Sequence, residues 1–219
     1  MGEEEASGEA LARHDGAGTD PTIVFDLGGV LIDWNPRYLY RKLLPDEEAV
    51  EDFLNRICPM DWNERQDAGR PFAEAVAERI ALFPEHEALI RAYQERWLET
   101  LGGALDETVE IFDELRARSP VYALTNWSAE TWPHAVARFE FLSWFEGILV
   151  SGEEMLAKPD PRIYHRLLEK FSLDRSRLLF IDDNARNVAA AEKEGIASIH
   201  FVSAGELREE LVRRGVLRR

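Results

Sequence analysis

Five short apolar runs recur along the chain, at residues 23–25, 121–124, 148–150, 178–181 and 197–202, with amphipathic stretches between most of them. Near-continuous apolar strands that alternate with helices predict an α/β fold, a doubly wound parallel sheet covered by helices on both faces. Crossovers of the usual right hand bring the carboxyl ends of the strands to one edge, where such a sheet binds its ligand. The helical stretches carry matching punctuation. Asp106 is expected to cap a helix with Val109, Phe112 and Leu115 on one face, and Asp160-Pro161 opens another backed by Ile163, Tyr164, Leu167, Leu168 and Phe171. An Ala-rich helix starting near Asn184 stops at Gly195.

One interval breaks that rhythm. Residues 26–120 are far too many for a single crossover, and they read as several helices, at 36–44, 46–57, 71–82 and 85–101. The expectation is an inserted α-helical bundle cap over residues 36–100, with the core made of residues 21–35 and 101–219. An insertion springing from the ligand edge is well placed to act as a lid. Residues 1–20 hold six acids (Glu3, Glu4, Glu5, Glu9, Asp15, Asp20) against Arg13 alone and lack any aromatic, which predicts a disordered acidic tail. They show neither the positive start nor the apolar run of a signal peptide.

Composition disfavours several classes of function. The net charge of -16 argues against nucleic acid and anionic membranes as partners, and no stretch is long and apolar enough to span a bilayer. Cys58 is the single cysteine, so an internal disulfide is impossible and a reducing, cytoplasmic setting is expected. No His has metal-ligand spacing or a partnered Ser, and neither a Gly-x-x-x-x-Gly-Lys loop nor a Gly-x-Gly-x-x-Gly turn occurs. The expected partner is a small molecule, and nothing in the pattern sets an oligomeric state.

Chemistry concentrates at the strand ends. The first run delivers Asp26 into Leu27-Gly28-Gly29, the second leads to Thr125-Asn126, the third is followed by Lys158-Pro159, and the fourth ends in Asp182-Asp183. Three carboxylates, an ammonium and a hydroxyl therefore share one edge. Carboxylates a few ångströms apart raise each other's pKa unless a cation neutralises them. One lysine is too little. A hard divalent ion with oxygen ligands is enough, and Mg²⁺ leaves room for phosphate oxygens. Each part then has a role in phosphoryl transfer. Asp26 attacks phosphorus, Lys158 and the metal neutralise the equatorial oxygens, and Thr125, with Asn126 beside it, donates a hydrogen bond.

The motifs Asp26-Leu27-Gly28-Gly29-Val30-Leu31, Leu124-Thr125-Asn126, Lys158-Pro159 and Asp182-Asp183 resemble those of the haloacid dehalogenase-like hydrolase superfamily, over about residues 22–205. The resemblance implies a Rossmann-like core with a helical cap, and a Mg²⁺ held by Asp26, the Gly28 carbonyl, Asp182 and Asp183. Most phosphatases of that superfamily carry a second Asp two residues after the nucleophile, as acid for the leaving group; here that position is Gly28. General acid–base help is worth about 10²–10⁴ in rate. Its loss is least costly for a leaving group of low pKa, such as the anomeric oxygen of a sugar 1-phosphate, and the pattern looks closest to the α-D-glucose-1-phosphate phosphatase branch. The expected function is a Mg²⁺-dependent phosphatase of small phosphorylated metabolites, sugar phosphates among them, working through an aspartyl-phosphate on Asp26.

Two alternatives stay open on sequence. A 2-haloacid dehalogenase uses the same Asp nucleophile without the second Asp, but carries serines where this chain has Asp182 and Asp183. A non-catalytic phosphate-ester-binding module would have lost turnover together with the second Asp. Gly28, Gly29 and Trp127 are candidates for the substrate mouth, and Trp34 for packing or for the same rim. In Trp62-Asn63-Glu64-Arg65, read as a turn between cap helices, Arg65 is the candidate for an anionic group and Glu64 for reaching the site on closure. Asp33 reads as a surface or hinge residue and Tyr164 as core.

Overall fold

Residues 21–218 are described by a computed structural model; the expected acidic tail, 1–20, lies outside the described residues. Among them seven strands form: β1 (Thr22–Phe25), β2 (Ile32–Trp34), β3 (Leu101–Ala104), β4 (Val121–Thr125), β5 (Gly147–Val150), β6 (Leu178–Asp182) and β7 (Ala197–His200). The intervening α-helices are α1 (Arg37–Tyr40), α2 (Glu47–Asp52), α3 (Met60–Asp67), α4 (Phe72–Leu82), α5 (Glu87–Glu95), α6 (Asp106–Arg116), α7 (Trp132–Arg138), α8 (Ser151–Glu154), α9 (Pro161–Phe171), α10 (Ala185–Lys193) and α11 (Ala204–Arg213).

Five strands make one parallel sheet in the order β5-β4-β1-β6-β7. The chain steps outward from β1 to β4 and β5, then returns to the other side of β1 with β6 and β7. The order thus reverses beside β1, and a cleft opens there at the carboxyl edge. Register pairs Phe25 with Ala123 on one side and Ile181 on the other, which sets Asp26 level with Asp182 and one residue short of Thr125. β1 holds the centre because Ile23, Val24 and Phe25 are all fully buried, with side chains alternating between two apolar layers. Ile23 and Phe25 join Ile111, Phe112 and Leu115 of α6 and Leu207 and Leu211 of α11; Val24 joins Ile163, Tyr164 and Leu167 of α9 and Ala191 of α10. This is the Rossmann-like sandwich that the apolar runs predict.

Several helix ends follow from local chemistry. Asp160 accepts from the Arg162 N–H at 2.9 Å at the start of α9, Asn184 from Arg186 N–H at 3.0 Å at the start of α10, and Asp46 from Ala49 N–H at 2.9 Å at the start of α2. Asp106 departs from expectation. The N-cap of α6 is Leu105, and Asp106 lies in the first turn, where its charge meets the positive end of the helix rather than a backbone N–H.

The helices α1–α5 are inserted between β2 and β3, an antiparallel pair that aligns Ile32 with Ala104 and forms the stem of the insertion. The apolar pattern predicts neither strand. It also predicts one helix over residues 85–101, whereas α5 ends at Glu95 and a 3-10 turn, Trp97–Thr100, leads into β3. The stretch expected as a solvated turn is helix α3. Trp62 is 1% exposed and packs edge-on against Tyr93 (centroids 5.0 Å apart) and Phe72 (6.5 Å), which fixes α3 against α4 and α5. No helix among the described residues is long and apolar enough to cross a membrane.

Candidate active site

At the end of β1 the Asp26 N–H donates to the Ile181 carbonyl at 2.8 Å, and the chain then turns back on itself. The Leu31 and Ile32 N–H groups both donate to the Leu27 carbonyl, at 2.9 and 2.8 Å. Gly29 takes a φ of +73° in this turn, and a Cβ on it would overlap the Asp183 carboxylate. Glycine is needed there on both counts. The tight turn lets the β1 and β6 tips close on each other, so Asp26 and Asp183 face one space.

Lys158 is the counter-charge. Its ammonium lies 2.9 Å from Asp26 Oδ2 and 2.7 Å from Asp182 Oδ2, and donates to the Leu124 carbonyl at 2.9 Å. Asn126 holds the Lys158 backbone from β4: its Nδ2 donates to the Lys158 carbonyl at 2.9 Å, and the Lys158 N–H donates to its Oδ1 at 2.8 Å. Asn126, expected among the catalytic groups, is therefore placed to position Lys158. Asp182 is wholly buried and also accepts from the Asn184 N–H at 2.8 Å and from Asn187 Nδ2 at 3.1 and 3.2 Å. Tyr164 sits in the core, its hydroxyl donating to the Asn187 carbonyl at 2.9 Å.

Electrostatics demand more positive charge than Lys158 supplies. Burial, with Asp182 and Asp183 adding to it, outweighs Lys158 and pushes the Asp26 carboxyl up to about 8. Burial and Asp182 raise Asp183 as well. Burial alone would lower the Lys158 ammonium, but Asp182 and Asp26 outweigh it and hold it above its ordinary value. Asp26, Asp182 and Asp183 each offer an oxygen within 4.8 Å of the others. Three hard oxygen donors against one ammonium fit a divalent cation such as Mg²⁺, and a second cation is what would return Asp26 to the ionised, nucleophilic form. Two buried donors call instead for an acceptor. Thr125 Oγ1 and Trp127 Nε1 have no hydrogen-bond partner among the described residues, and a buried donor without a partner is costly until something accepts from it.

Asp26, Gly28, Gly29, Asn126, Asp183 and Asn187 line one end of a cavity of about 370 Å³. Trp34, Trp97, Trp127 and Met60 form its apolar walls, and Asn63, Glu64 and Asp67 of α3 face in from the inserted helices. Thr125, Lys158 and Asp182 stand behind this surface, fully or almost fully buried. Arg65 does not join them. The helical turn of α3 leaves it exposed and off the cavity wall, which corrects its expected role as an anion contact. Glu64 reaches the rim, with Arg186 4.0 Å away.

Asn187, Ser151 and Asp67 also shape the site, and the sequence pattern singles out neither Ser151 nor Asp67. Ser151 Oγ accepts from the Trp127 N–H at 2.8 Å and donates to the Asp67 carbonyl at 2.5 Å, tying α3 to the core. Glu130 makes a second tie, accepting from the Phe72 N–H at 2.7 Å. The Asp67 side chain accepts from Asn63 Nδ2 at 2.8 Å, and the Tyr93 hydroxyl donates to Asn63 Oδ1 at 2.9 Å. Burial, with the charge of Glu64 adding to it, pushes the Asp67 carboxyl from the ordinary 3.8 up to about 7, against the Ser128 N–H that holds it down. The four-residue spacing of Asn63 and Asp67 is the available signal, and it becomes one only once residues 60–67 are taken as a helix.

Comparison with known proteins finds relatives over most of the chain. A family model described as haloacid dehalogenase-like hydrolase matches residues 21–195. A sesquiterpene phosphatase of Aspergillus oryzae is 26% identical over 196 residues, covering 85% of this chain and 92% of that protein. A phosphorylated carbohydrates phosphatase of Thermotoga maritima is 26% identical over 189 residues, covering 82% of this chain and 84% of that one. Among solved structures, an enzyme of the same family from Bacteroides thetaiotaomicron, in complex with magnesium and inorganic phosphate, superposes with a TM-score of 0.65. It is 24% identical and the match covers 85% of this chain and 96% of that chain.

Proposed function

The chain belongs to the haloacid dehalogenase-like hydrolases, and on that premise we propose that it is a Mg²⁺-dependent phosphomonoesterase of small organic phosphates, sugar phosphates among them. The observation that carries the reading is the meeting of Asp26, Thr125 and Asp183, at the ends of neighbouring strands, with Lys158 from the loop after α8, the Thr125 hydroxyl being unpartnered among the described residues. A carboxylate oxygen of Asp26 forms a bond to phosphorus as the bond to the leaving oxygen breaks. The Lys158 ammonium and the Thr125 hydroxyl meet charge on the phosphoryl oxygens. Water then opens the aspartyl-phosphate, releasing phosphate and regenerating Asp26. Asp26, Asp183, Asp182 and the Gly28 carbonyl are the groups that would hold Mg²⁺, which supplies charge neutralisation for the phosphoryl oxygens. The inserted helices act as a cap over this site.

The walls bear on the substrate. No Lys, Arg or His is among the described residues lining the cavity, while Glu64 and Asp67 face it. A substrate whose only anionic group is the phosphate, with a neutral body that stacks on tryptophan, suits such walls. The curated relatives named as carbohydrate and sesquiterpene phosphatases point to bodies of that kind. A panel of phosphate esters, assayed with Mg²⁺ and with EDTA, tests the reading. Mg²⁺-dependent phosphate release that disappears in Asp26→Asn supports it; halide release from 2-chloropropionate without metal would favour the dehalogenase alternative. The acids at Asp182 and Asp183 weigh against that alternative: without a metal to mask them they repel a carboxylate substrate, and no dehalogenation step needs that metal.

A further inference from the structure

We propose that Asp67 is the general acid and base of this enzyme, doing from the inserted helices what the loop after Asp26 cannot do. The inference rests on the phosphatase reading and adds the proton path to it. A Cβ at Gly28 would meet nothing within 4 Å, so the space beside the nucleophile where an acid from that loop would stand is open. The cavity lining offers two carboxylates outside the Asp26–Asp183 set, Glu64 and Asp67. Glu64 is exposed at the rim, 4.0 Å from Arg186. Asp67 is different. Its side chain is held by Asn63, which Tyr93 holds in turn, and its backbone is held by Ser151. A proton donor must keep a fixed place near the atom it serves, and this one is anchored at both ends.

Its surroundings pull both ways: burial and the Glu64 carboxylate favour the neutral acid, while the Asn63 amide and the Ser128 N–H that donate to it favour the carboxylate. From its own helix Asp67 meets the carboxylate of Glu64, and from α5 the Tyr93 hydroxyl; the loop after β4 presents the Ser128 N–H and α8 the Ser151 hydroxyl. Among the described residues no cation acts on it. Burial therefore keeps the neutral acid populated near neutrality, in line with its pKa of about 7. The steps balance simply. As Asp26 bonds to phosphorus and the ester P–O bond breaks, the Asp67 proton passes to the leaving oxygen. The resulting carboxylate then takes a proton from the water whose oxygen bonds to phosphorus as the Asp26–P bond breaks.

The test is the leaving-group dependence of kcat/KM, which reports phosphoryl transfer to Asp26. In Asp67→Asn, kcat/KM should fall about 10²–10⁴-fold for an alkyl phosphate and by less than about tenfold for p-nitrophenyl phosphate, whose leaving group needs little protonation. Adding Gly28→Asp to that variant should restore part of the alkyl phosphatase activity. An equal fall for both esters, or no fall for either, overturns the proposal while leaving the phosphatase reading in place. Should Asp67→Asn fail to fold, the wild-type protein decides: a shallow dependence of kcat/KM on leaving-group pKa supports an internal acid, and a steep one overturns it. No turnover of any ester by the wild-type protein overturns the phosphatase reading itself.

Discussion

Asn126 and Lys158 hold each other by two hydrogen bonds, one in each direction, between the side chain of the first and the backbone of the second. The link fixes the loop that carries the one ammonium shared by Asp26 and Asp182. Asn126→Ala should cost about 1–3 kcal/mol of stability, at roughly 0.5–1.5 per bond, read by denaturant unfolding. Displacing the ammonium should also lower kcat, about 10²-fold for a shift of about 1 Å, with KM much less affected.

Removal of Mg²⁺ is expected to abolish turnover, and its addition to stabilise the fold. A ligand at a hundred times its dissociation constant adds about 2.7 kcal/mol. Thermal melts with and without Mg²⁺ should show that shift in the wild-type protein and little of it in Asp183→Asn, whose carboxylate faces the cavity. An equal shift in both proteins would place the metal elsewhere.

Cavity walls without a cation predict selectivity by charge. Monophosphates with a neutral body should exceed phosphoglycolate, which carries a second anionic group, by about tenfold or more in kcat/KM, equivalent to ~1.4 kcal/mol. Glu64→Gln should narrow that gap by removing one like charge from the rim. Steady-state kinetics on the two substrates in the two proteins checks both statements.

The raised Asp67 carboxyl makes a pH prediction of definite sign. A carboxyl that is harder to ionise when folded gives its full stabilisation below its unfolded pKa, and loses it as pH rises through about 7. Asp67→Asn has no such loss. The melting temperature of the variant relative to wild type should therefore be higher at pH 8 than at pH 4. Alkyl phosphatase activity of the wild-type protein should decline above about pH 7 as the acid ionises, and that limb should vanish in the variant.

The strand-end chemistry is legible in the sequence because Asp26, Thr125 and Asp182 each close an apolar run, and parallel strands bring such ends together; Lys158 joins them from the loop after α8. Helix α3 is not. Its buried face carries Asn63 and Gln66 beside Trp62; Tyr93 and Asp67 bond the Asn63 amide and the Trp62 carbonyl accepts from Gln66 Nε2, and apolar periodicity does not register such polar side chains. The β2–β3 pair escapes for another reason: Gly102-Gly103 reads as a loop, and its partner lies across the whole insertion. Asp67 is a tertiary fact, invisible until α3 is a helix and Ser151 pins it to the core.

That last tie has an evolutionary consequence. Ser151 grips a main-chain oxygen, and every amino acid supplies one. Descendants of this protein could therefore exchange the side chains that α3 offers to the cavity, and so change what they accept, while the two halves stay fastened together.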